Sequence, residues 1–142
     1  MDANIEIVLV DWQSAARSLT AIRYQVFVVE QKVPVELELD ELDPVSLHAL
    51  AHDGSNCVLG TGRLTPTGKI GRMAVDIGYR GCGVGGKLLS ALIQAARQRG
   101  DDQVCLSAQI SALRFYHRYG FIIQSEIFMD AGIPHQDMCL RL

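Results

Sequence analysis

The sequence of 142 residues has no long apolar run and no strong excess of charge of either sign. No window approaches the roughly 18 apolar residues that a membrane-spanning helix needs. The start, MDANIEIVLVDW, lacks the basic region and the apolar stretch of a secretion signal. The net charge of −3 offers no general attraction to nucleic acid or to an anionic membrane. We therefore expect neither partner, and an anionic ligand needs a local binding site.

Closely spaced cysteines are also missing. The four cysteines are far apart along the chain: Cys57, Cys82, Cys105 and Cys139. Without a C-x-x-C pair or a compact framework, the spacing favours neither a disulfide scaffold nor a structural zinc site. We expect reduced thiols, no metal and a cytoplasmic location.

The length and the order of apolar patterns predict one domain over residues 1–142. Apolar residues recur at helical intervals over about residues 11–29 and 84–99, and SALRFYHRYG is typical of a short helix. Strands are predicted at residues 4–9, 46–52 and 57–64 and in KIGRMAVDIGY, QVCLSAQ, FIIQSEIFM and QDMCLRL. The order β-α-β-β-β-α-β-α-β-β indicates an α/β (α+β) fold, with helices flanking a mixed, mostly antiparallel sheet.

A glycine-rich segment, YRGCGVGGKLL at residues 79–89, fits three nucleotide-binding patterns. Three of its glycines match the dinucleotide fingerprint G-x-G-x-x-G. Residues 81–87 match a Walker A loop, except that Leu88 stands where Ser or Thr would hold magnesium. Residues 80–85, RGCGVG, match R-x-x-G-x-G, whose usual ligand is the pyrophosphate of a coenzyme. In all three patterns, small residues let backbone N–H groups approach a phosphate where a helix begins.

The context of this segment favours the third pattern. Antiparallel hairpin candidates precede the glycines, whereas a dinucleotide fold has them in its first βα turn. Leu88 cannot bind magnesium, which disfavours a Walker A loop. A tight turn without a ligand is the remaining alternative. Four glycines within six residues exceed what such a turn requires.

Three stretches together resemble the GNAT superfamily of acyl-CoA-dependent N-acyltransferases: IGRMAV, YRGCGVGGKLL and LRFYHRYGF. Two more stretches are similar to a narrower branch, the ElaA- and YjcF-like proteins: IRYQVFVVEQKVPVELELDELD and GIPHQDM. The resemblance covers most of the chain. It implies the GNAT fold and transfer of an acetyl group from acetyl-CoA to a primary amine, by direct attack in a ternary complex and without a metal.

The resemblance also implies which residues bind the coenzyme. Backbone N–H groups of the glycine loop would hold the pyrophosphate, and the strand before the loop would pair with the pantetheine arm. The predicted coenzyme-binding residues are Met73, Ala74, Val75, Arg80, Gly81, Cys82, Gly83, Val84, Gly85, Gly86 and Lys87. Arg80 and Lys87 would add positive charge, unless they are solvated surface residues.

Two residues are candidates for proton transfer. Tyr116 occupies the position that serves as general acid in the family, although a tyrosine in RFYHRYGF could simply pack against Phe115 and Phe121. His135 follows Pro134 in GIPHQDM, and relatives with a similar Pro-His step use that histidine as a base. The alternative for His135 is a hydrogen-bonded histidine at the start of a strand. A backbone N–H near Val75 would polarise the thioester carbonyl.

The acceptor is predicted to bind where an acidic run follows the first helix. The run comprises Glu36, Glu38, Asp40, Glu41 and Asp43. It would suit a cationic small-molecule or peptide amine, or it is a solvated loop. Arg23 and Glu30, on the preceding helix, either reach the acceptor or pair with this run. The resemblance leaves two further alternatives open: a homodimer, and a catalytically silent coenzyme A-binding sensor or partner module.

Overall fold

The computed structural model of the chain describes residues 4–35 and 40–142. The helices that position the site are α1 (Trp12–Arg23), a π-helical segment (Tyr24–Glu30), α2 (Val84–Arg99) and α3 (Leu113–His117). The strands are β1 (Glu6–Val10), β2 (Leu47–His52), β3 (Val58–Leu64), β4 (Ile70–Val75), β5 (Gln103–Gln109), β6 (Ile122–Ile123), β7 (Phe128–Asp130) and β8 (Ile133–Arg141). The predicted element order is confirmed, except that FIIQSEIFM forms two short strands and not one.

The strands form two antiparallel groups. The first has the order β1-β2-β3-β4, and in the second β8 pairs with β5, β6 and β7. A single parallel bridge between Lys69 and Cys105 connects the groups, and the Cys105 N–H donates to the Gly68 carbonyl at 2.9 Å. Beyond this bridge β4 and β5 are not paired within the described ranges. The two strands therefore diverge and leave a cleft between them.

Helix α2 covers one face of the first group. The leucine and isoleucine positions predicted for its apolar face are 0–5% exposed: Leu88, Leu89, Leu92 and Ile93. Gly62 on β3 lets the helix come close, because a Cβ there would lie 2.9 Å from Leu92 Cδ1 and 2.5 Å from Met73 Sδ. The helix ends at Gly100, whose φ of 91° suits a residue without a Cβ. At its other end α2 begins after Gly83 of the glycine loop.

The first helix is not regular over the predicted range of residues 11–29. Asp11 caps α1 by accepting a hydrogen bond from the Ser14 N–H at 2.8 Å. From Tyr24 the chain widens into π-helical turns, a geometry that often occurs at functional sites. Its residue Phe27 and the following Gln31 line the cleft.

The expectation that all cysteines are reduced is wrong for one pair. Cys105 on β5 lies directly opposite Cys139 on β8, and the two form a disulfide. The residues are 34 positions apart, so their spacing along the chain carries no information about this cross-strand register. Cys57 and Cys82 are free and exposed.

No helix in the described part of the chain is long and apolar enough to cross a membrane.

Candidate active site

A cleft of about 370 Å³ opens where β4 and β5 diverge. Its walls come from these two strands, from the residues after the π-helical segment, and from the start of β8. The two predicted proton-transfer residues, Tyr116 and His135, both line it, as does Met73 of β4. Side chains from four separate parts of the chain therefore meet at one opening.

The edge of β4 that faces the cleft carries the backbone groups of Val75. The Asp76 N–H donates to the Leu59 carbonyl of β3 at 2.8 Å. Because backbone groups of an extended strand face alternate sides, the N–H and C=O of Val75 face away from β3. The Val75 carbonyl accepts a hydrogen bond from Arg80 Nε at 3.0 Å, which agrees with this direction. Arg72, with a φ of 52°, marks the irregularity at which β4 bends along the cleft.

The glycine loop has the backbone conformation that its composition predicts. Gly81 and Gly83 have φ of 80° and 84°, a region that side chains with a Cβ rarely adopt. Gly83 is the N-cap of α2, and its carbonyl accepts the first helical hydrogen bond from the Lys87 N–H at 3.1 Å. The N–H groups of residues 84–86 therefore have no helical acceptor, and no acidic side chain lies in this turn. This end of α2 attracts anions.

The other predicted coenzyme residues lie around the same loop. Ala74 is 2% exposed, so only its backbone is available to a ligand. Cys82 is exposed, and Lys87 is exposed on the first turn of α2. Lys87 also borders a second groove, together with Gly83.

Arg80 and Glu30 are paired with each other. The two guanidinium nitrogens Nη1 and Nη2 donate to the two carboxylate oxygens of Glu30, each at 2.6 Å. The hydrogen bonds from Arg80 are the main reason why the pKa of Glu30 lies below its usual value. Within the described residues, the ion-pair partner of Glu30 is therefore Arg80 at the start of the glycine loop, and its contact with the acceptor stays a prediction.

Tyr116 is 8% exposed and lies on α3. Its ring packs edge to face against Phe115 and Phe121, with centroid distances of 5.0 Å and 5.9 Å. Burial raises the pKa of Tyr116 to about 12. The phenol therefore stays protonated at neutral pH, as a proton donor must be. The ring of Tyr116 thus packs against Phe115 and Phe121 and also lines the cleft. Packing and a role as proton donor, which the sequence left as alternatives, are therefore compatible.

His135 lies on β8, also 8% exposed. Its Nδ1 is 2.7 Å from the Ile133 carbonyl, which can only accept, so Nδ1 carries the proton and donates it. In a neutral ring the lone pair is then on Nε2. Phe128 of β7 stacks on the imidazole at a centroid distance of 6.0 Å. These contacts orient the ring so that Nε2 is the atom left to accept a proton.

Arg23 agrees with the second of its two predicted alternatives, which is pairing with the acidic run. Its side chain is fully buried, and Nη1 and Nη2 donate to the Asp43 carboxylate at 2.9 Å and 3.1 Å. Arg63 of β3 donates to the same carboxylate at 3.0 Å. Burial alone would raise the pKa of Asp43, but the hydrogen bonds and charges of the two arginines outweigh it and lower the pKa. Arg23 thus anchors the Asp43 end of the acidic run.

Asp40, in the same run, is likewise paired with arginines. It binds Arg63 at 2.7 Å and Arg72 at 3.1 Å. Glu36 and Glu38, predicted to contact the acceptor, lie outside the described residues. Where the run is described, Asp40 and Asp43 therefore neutralise arginines of the protein itself.

Sequence reasoning missed the cleft residues that belong to no motif, among them Arg63, Thr65 and Lys69. No local signal marks them, because they meet the cleft through the pairing of β3 with β4. Over the described ranges, no group of His, Cys, Asp and Glu side chains is placed to hold a metal ion.

Comparisons with known proteins agree with this geometry. The Acetyltransferase (GNAT) domain model matches residues 13–142. The N-acetyltransferase YjcF of Bacillus subtilis (strain 168) is 43% identical over 121 residues, covering 82% of this chain and 86% of YjcF. The crystal structure of an acyl-CoA N-acyltransferase from Pseudomonas aeruginosa aligns with a TM-score of 0.85 at 32% identity, covering 96% of this chain and 99% of that one. Escherichia coli ElaA aligns with a TM-score of 0.87 at 28% identity, with the same coverage.

Proposed function

Because the chain belongs to the GNAT family of acetyltransferases and to its ElaA/YjcF-like branch, we propose that it moves an acetyl group from acetyl-CoA to a primary amine. The amine, on a small molecule or a peptide, attacks directly in a ternary complex. The observation that carries this proposal is that Tyr116 and His135 line the same cleft as the open edge of β4. We also propose that the whole chain acts as one such domain.

The coenzyme fits two features of the structure. The N–H groups of residues 84–86, at the positive end of α2, suit the pyrophosphate. The cleft edge of β4 suits the amide groups of the pantetheine arm, which would add to the sheet as an extra strand does. When bound, acetyl-CoA supplies a thioester carbonyl that an amine can attack.

The residues of the cleft provide the proton transfers that the reaction needs. His135 Nε2 accepts a proton from the amine nitrogen as that nitrogen bonds to the carbonyl carbon. The Val75 N–H donates a hydrogen bond to the carbonyl oxygen, where negative charge develops. The carbon–sulfur bond then breaks, and the Tyr116 hydroxyl donates its proton to the sulfur. The proton that leaves the amine thus balances the one that the thiol gains.

Two measurements test the proposal. Calorimetric titration compares acetyl-CoA with NAD and Mg-ATP, and a thiol assay then follows coenzyme A release in the presence of primary amines. We expect saturable binding of acetyl-CoA alone and amine-dependent thiol release. Binding without thiol release for any amine would replace the enzyme with the catalytically silent coenzyme A-binding module. Binding of NAD or ATP, or of no ligand, would exclude both.

Gly83→Val is expected to weaken acetyl-CoA binding about tenfold or more. No atom lies within 4 Å of a Cβ at this position, so the effect comes from the positive φ of 84°. A left-handed conformation costs about 1–2 kcal/mol for a residue with a Cβ, and relief of this strain moves the loop N–H groups. Calorimetry gives the dissociation constant.

Gly100→Val is the matched control for this substitution. Gly100 has a φ of 91° and is also free of neighbours within 4 Å, but it lies at the other end of α2. The two variants should therefore lose similar stability, and only Gly83→Val should lose affinity. Equal affinity in both would mean that the loop is only a turn.

His135→Gln is expected to lower kcat about 100-fold at pH 7, a typical effect of losing a general base. The difference from the wild type should shrink at higher pH, because an alkyl amine with a pKa of about 10.4 then loses its proton to solvent. His117→Gln is the control, since His117 is exposed on α3 and does not line the cleft. An equal loss at all pH values would assign His135 a structural role.

The homodimer and the cytoplasmic location stay predictions. Sedimentation of the purified protein would test the first and cell fractionation the second.

A further inference from the structure

The cleft has a second polar region away from Tyr116 and His135. It lies near the bridge that joins β4 to β5, where the strands begin to diverge. Three of its lining residues are Arg63, near the end of β3, and Thr65 and Lys69, in the turn between β3 and β4. This region, which we term the basic end of the cleft, contains two cationic side chains.

Arg63 has a hydrogen-bond donor without an acceptor. Its side chain is only 7% exposed, and its Nη atoms donate to Asp40 and Asp43. Its Nε is buried and has no hydrogen-bond partner. A buried guanidinium N–H is rarely left unpaired in a folded protein. Since Arg63 lines the cleft, a bound ligand is a source for the missing acceptor.

Lys69 provides a positive charge that no carboxylate of the described residues neutralises. Within residues 4–35 and 40–142 no carboxylate lies at ion-pair distance from its ammonium group. Thr65 fixes the backbone of Lys69 on both sides: its Oγ1 accepts from the Lys69 N–H at 3.0 Å, and its N–H donates to the Lys69 carbonyl at 2.8 Å. The lysine is therefore held at the cleft by its main chain while its charge remains available.

Two described carboxylates of the acidic run are occupied, and a third, the exposed Glu41, is not among the residues that line the cleft. Asp40 and Asp43 bind Arg23, Arg63 and Arg72. The only acidic residue lining the cleft within the described ranges is Asp130. The charge that faces a ligand at the basic end is thus positive, opposite to what the acidic run suggests.

We propose that the acceptor is a primary amine that also carries an anionic group, a carboxylate or a phosphate, bound by Lys69 and Arg63 at the basic end of the cleft. This proposal rests on the proposed acetyl transfer. The amine would lie beside His135, where the reaction occurs. Lys69 precedes Met73 by four positions, so the rise of a strand places the two roughly 13 Å apart at most. The acceptor is therefore a short molecule or a terminal residue, with both groups within that length.

The experiment compares acceptors that differ only in charge. 5-Aminopentanoate, its amide and 1,5-diaminopentane have one chain length, and 4-aminobutyl phosphate distinguishes a phosphate from a carboxylate. Each is assayed by thiol release with the wild type, Lys69→Met and the control Arg97→Met, because Arg97 is an exposed cation on α2 away from the cleft. We expect kcat/KM to be at least tenfold higher for one of the anionic amines than for the amide and the diamine. Lys69→Met should remove that preference, and Arg97→Met should preserve it.

Two results would overturn the proposal of an anionic acceptor and leave acetyl transfer intact. One is turnover of the amide or the diamine that equals or exceeds that of the anionic amines. The other is a preference for the anionic amines that Lys69→Met does not change. If no amine is acetylated, the proposed function fails, and binding then decides the inference. Calorimetry with coenzyme A-saturated protein should show Lys69-dependent binding of 5-aminopentanoate or 4-aminobutyl phosphate. No such binding would overturn the proposal.

Discussion

Tyr116→Phe is expected to lower kcat about 100- to 1,000-fold, within the range typical of a lost general acid, with acetyl-CoA affinity unchanged within about twofold. Phenylalanine keeps the edge-to-face contacts with Phe115 and Phe121 and removes only the hydroxyl. Without that proton donor, the thiolate must leave in its charged form inside a buried cleft. Steady-state kinetics and calorimetry measure the two quantities separately.

Tyr24→Phe is the matched control, because Tyr24 is 48% exposed on the π-helical segment. It should leave kcat and acetyl-CoA affinity unchanged.

The pH dependence adds a second check. Because burial raises the pKa of Tyr116 to about 12, its hydroxyl stays protonated through neutral pH. Any loss of activity near pH 8 must therefore arise from another group and should persist in Tyr116→Phe. Unchanged kcat in this variant would remove Tyr116 from the acid role.

Asp43→Asn is expected to lower the free energy of unfolding by about 3–5 kcal/mol, the usual effect of breaking a buried ion pair. The fully buried guanidinium of Arg23 would lose the charge of the Asp43 carboxylate. Arg63 would lose one of its two carboxylates. For a chain of this size the melting temperature should fall by roughly 10 °C. Thermal and urea unfolding measure both effects.

The pH dependence of stability distinguishes the loss of this ion pair from a general destabilisation of the fold. The pKa of Asp43 lies below its usual 3.8, so its stabilising contribution is complete above that pH and is lost as pH falls further. Asp43→Asn should lack this part of the acid transition. Asp102→Asn, a change at an exposed carboxylate after α2, should retain it and melt like the wild type. If Asp43→Asn also melts like the wild type, the Arg23 charge must have another means of compensation.

The parts of the fold that the sequence predicts well are those decided by neighbouring residues. Helix α2 occupies the predicted residues, because leucines at helical intervals and Gly100 define its buried face and its end. The conformation of the glycine loop is likewise predictable from its own residues, because Gly81 and Gly83 adopt a positive φ that glycine tolerates most easily.

The parts that the sequence could not predict depend on contacts between distant residues. Arg23 and Asp43 are 20 positions apart, and their pairing follows from how α1 lies over the acidic run. The Cys105–Cys139 disulfide depends on the register of β5 against β8. Tyr116 and His135 could be chosen only because short motifs marked them, whereas Lys69 and Arg63 had no such motif. Charge patterns were the least informative, since Asp40 and Asp43 of the acidic run are paired with arginines from elsewhere.

The divergence of β4 from β5 also bears on how the protein avoids self-association. An unpaired strand edge can recruit a strand from another chain and start aggregation. Here the open edge of β4 faces β5 across a narrow cleft, and the bridge at Lys69 and Cys105 closes one end of it. An extended ligand in this space can pair with β4, whereas β5 lies on the side from which a strand of a second molecule would have to approach. The same geometry that leaves backbone groups open to a ligand therefore shields them from neighbouring copies.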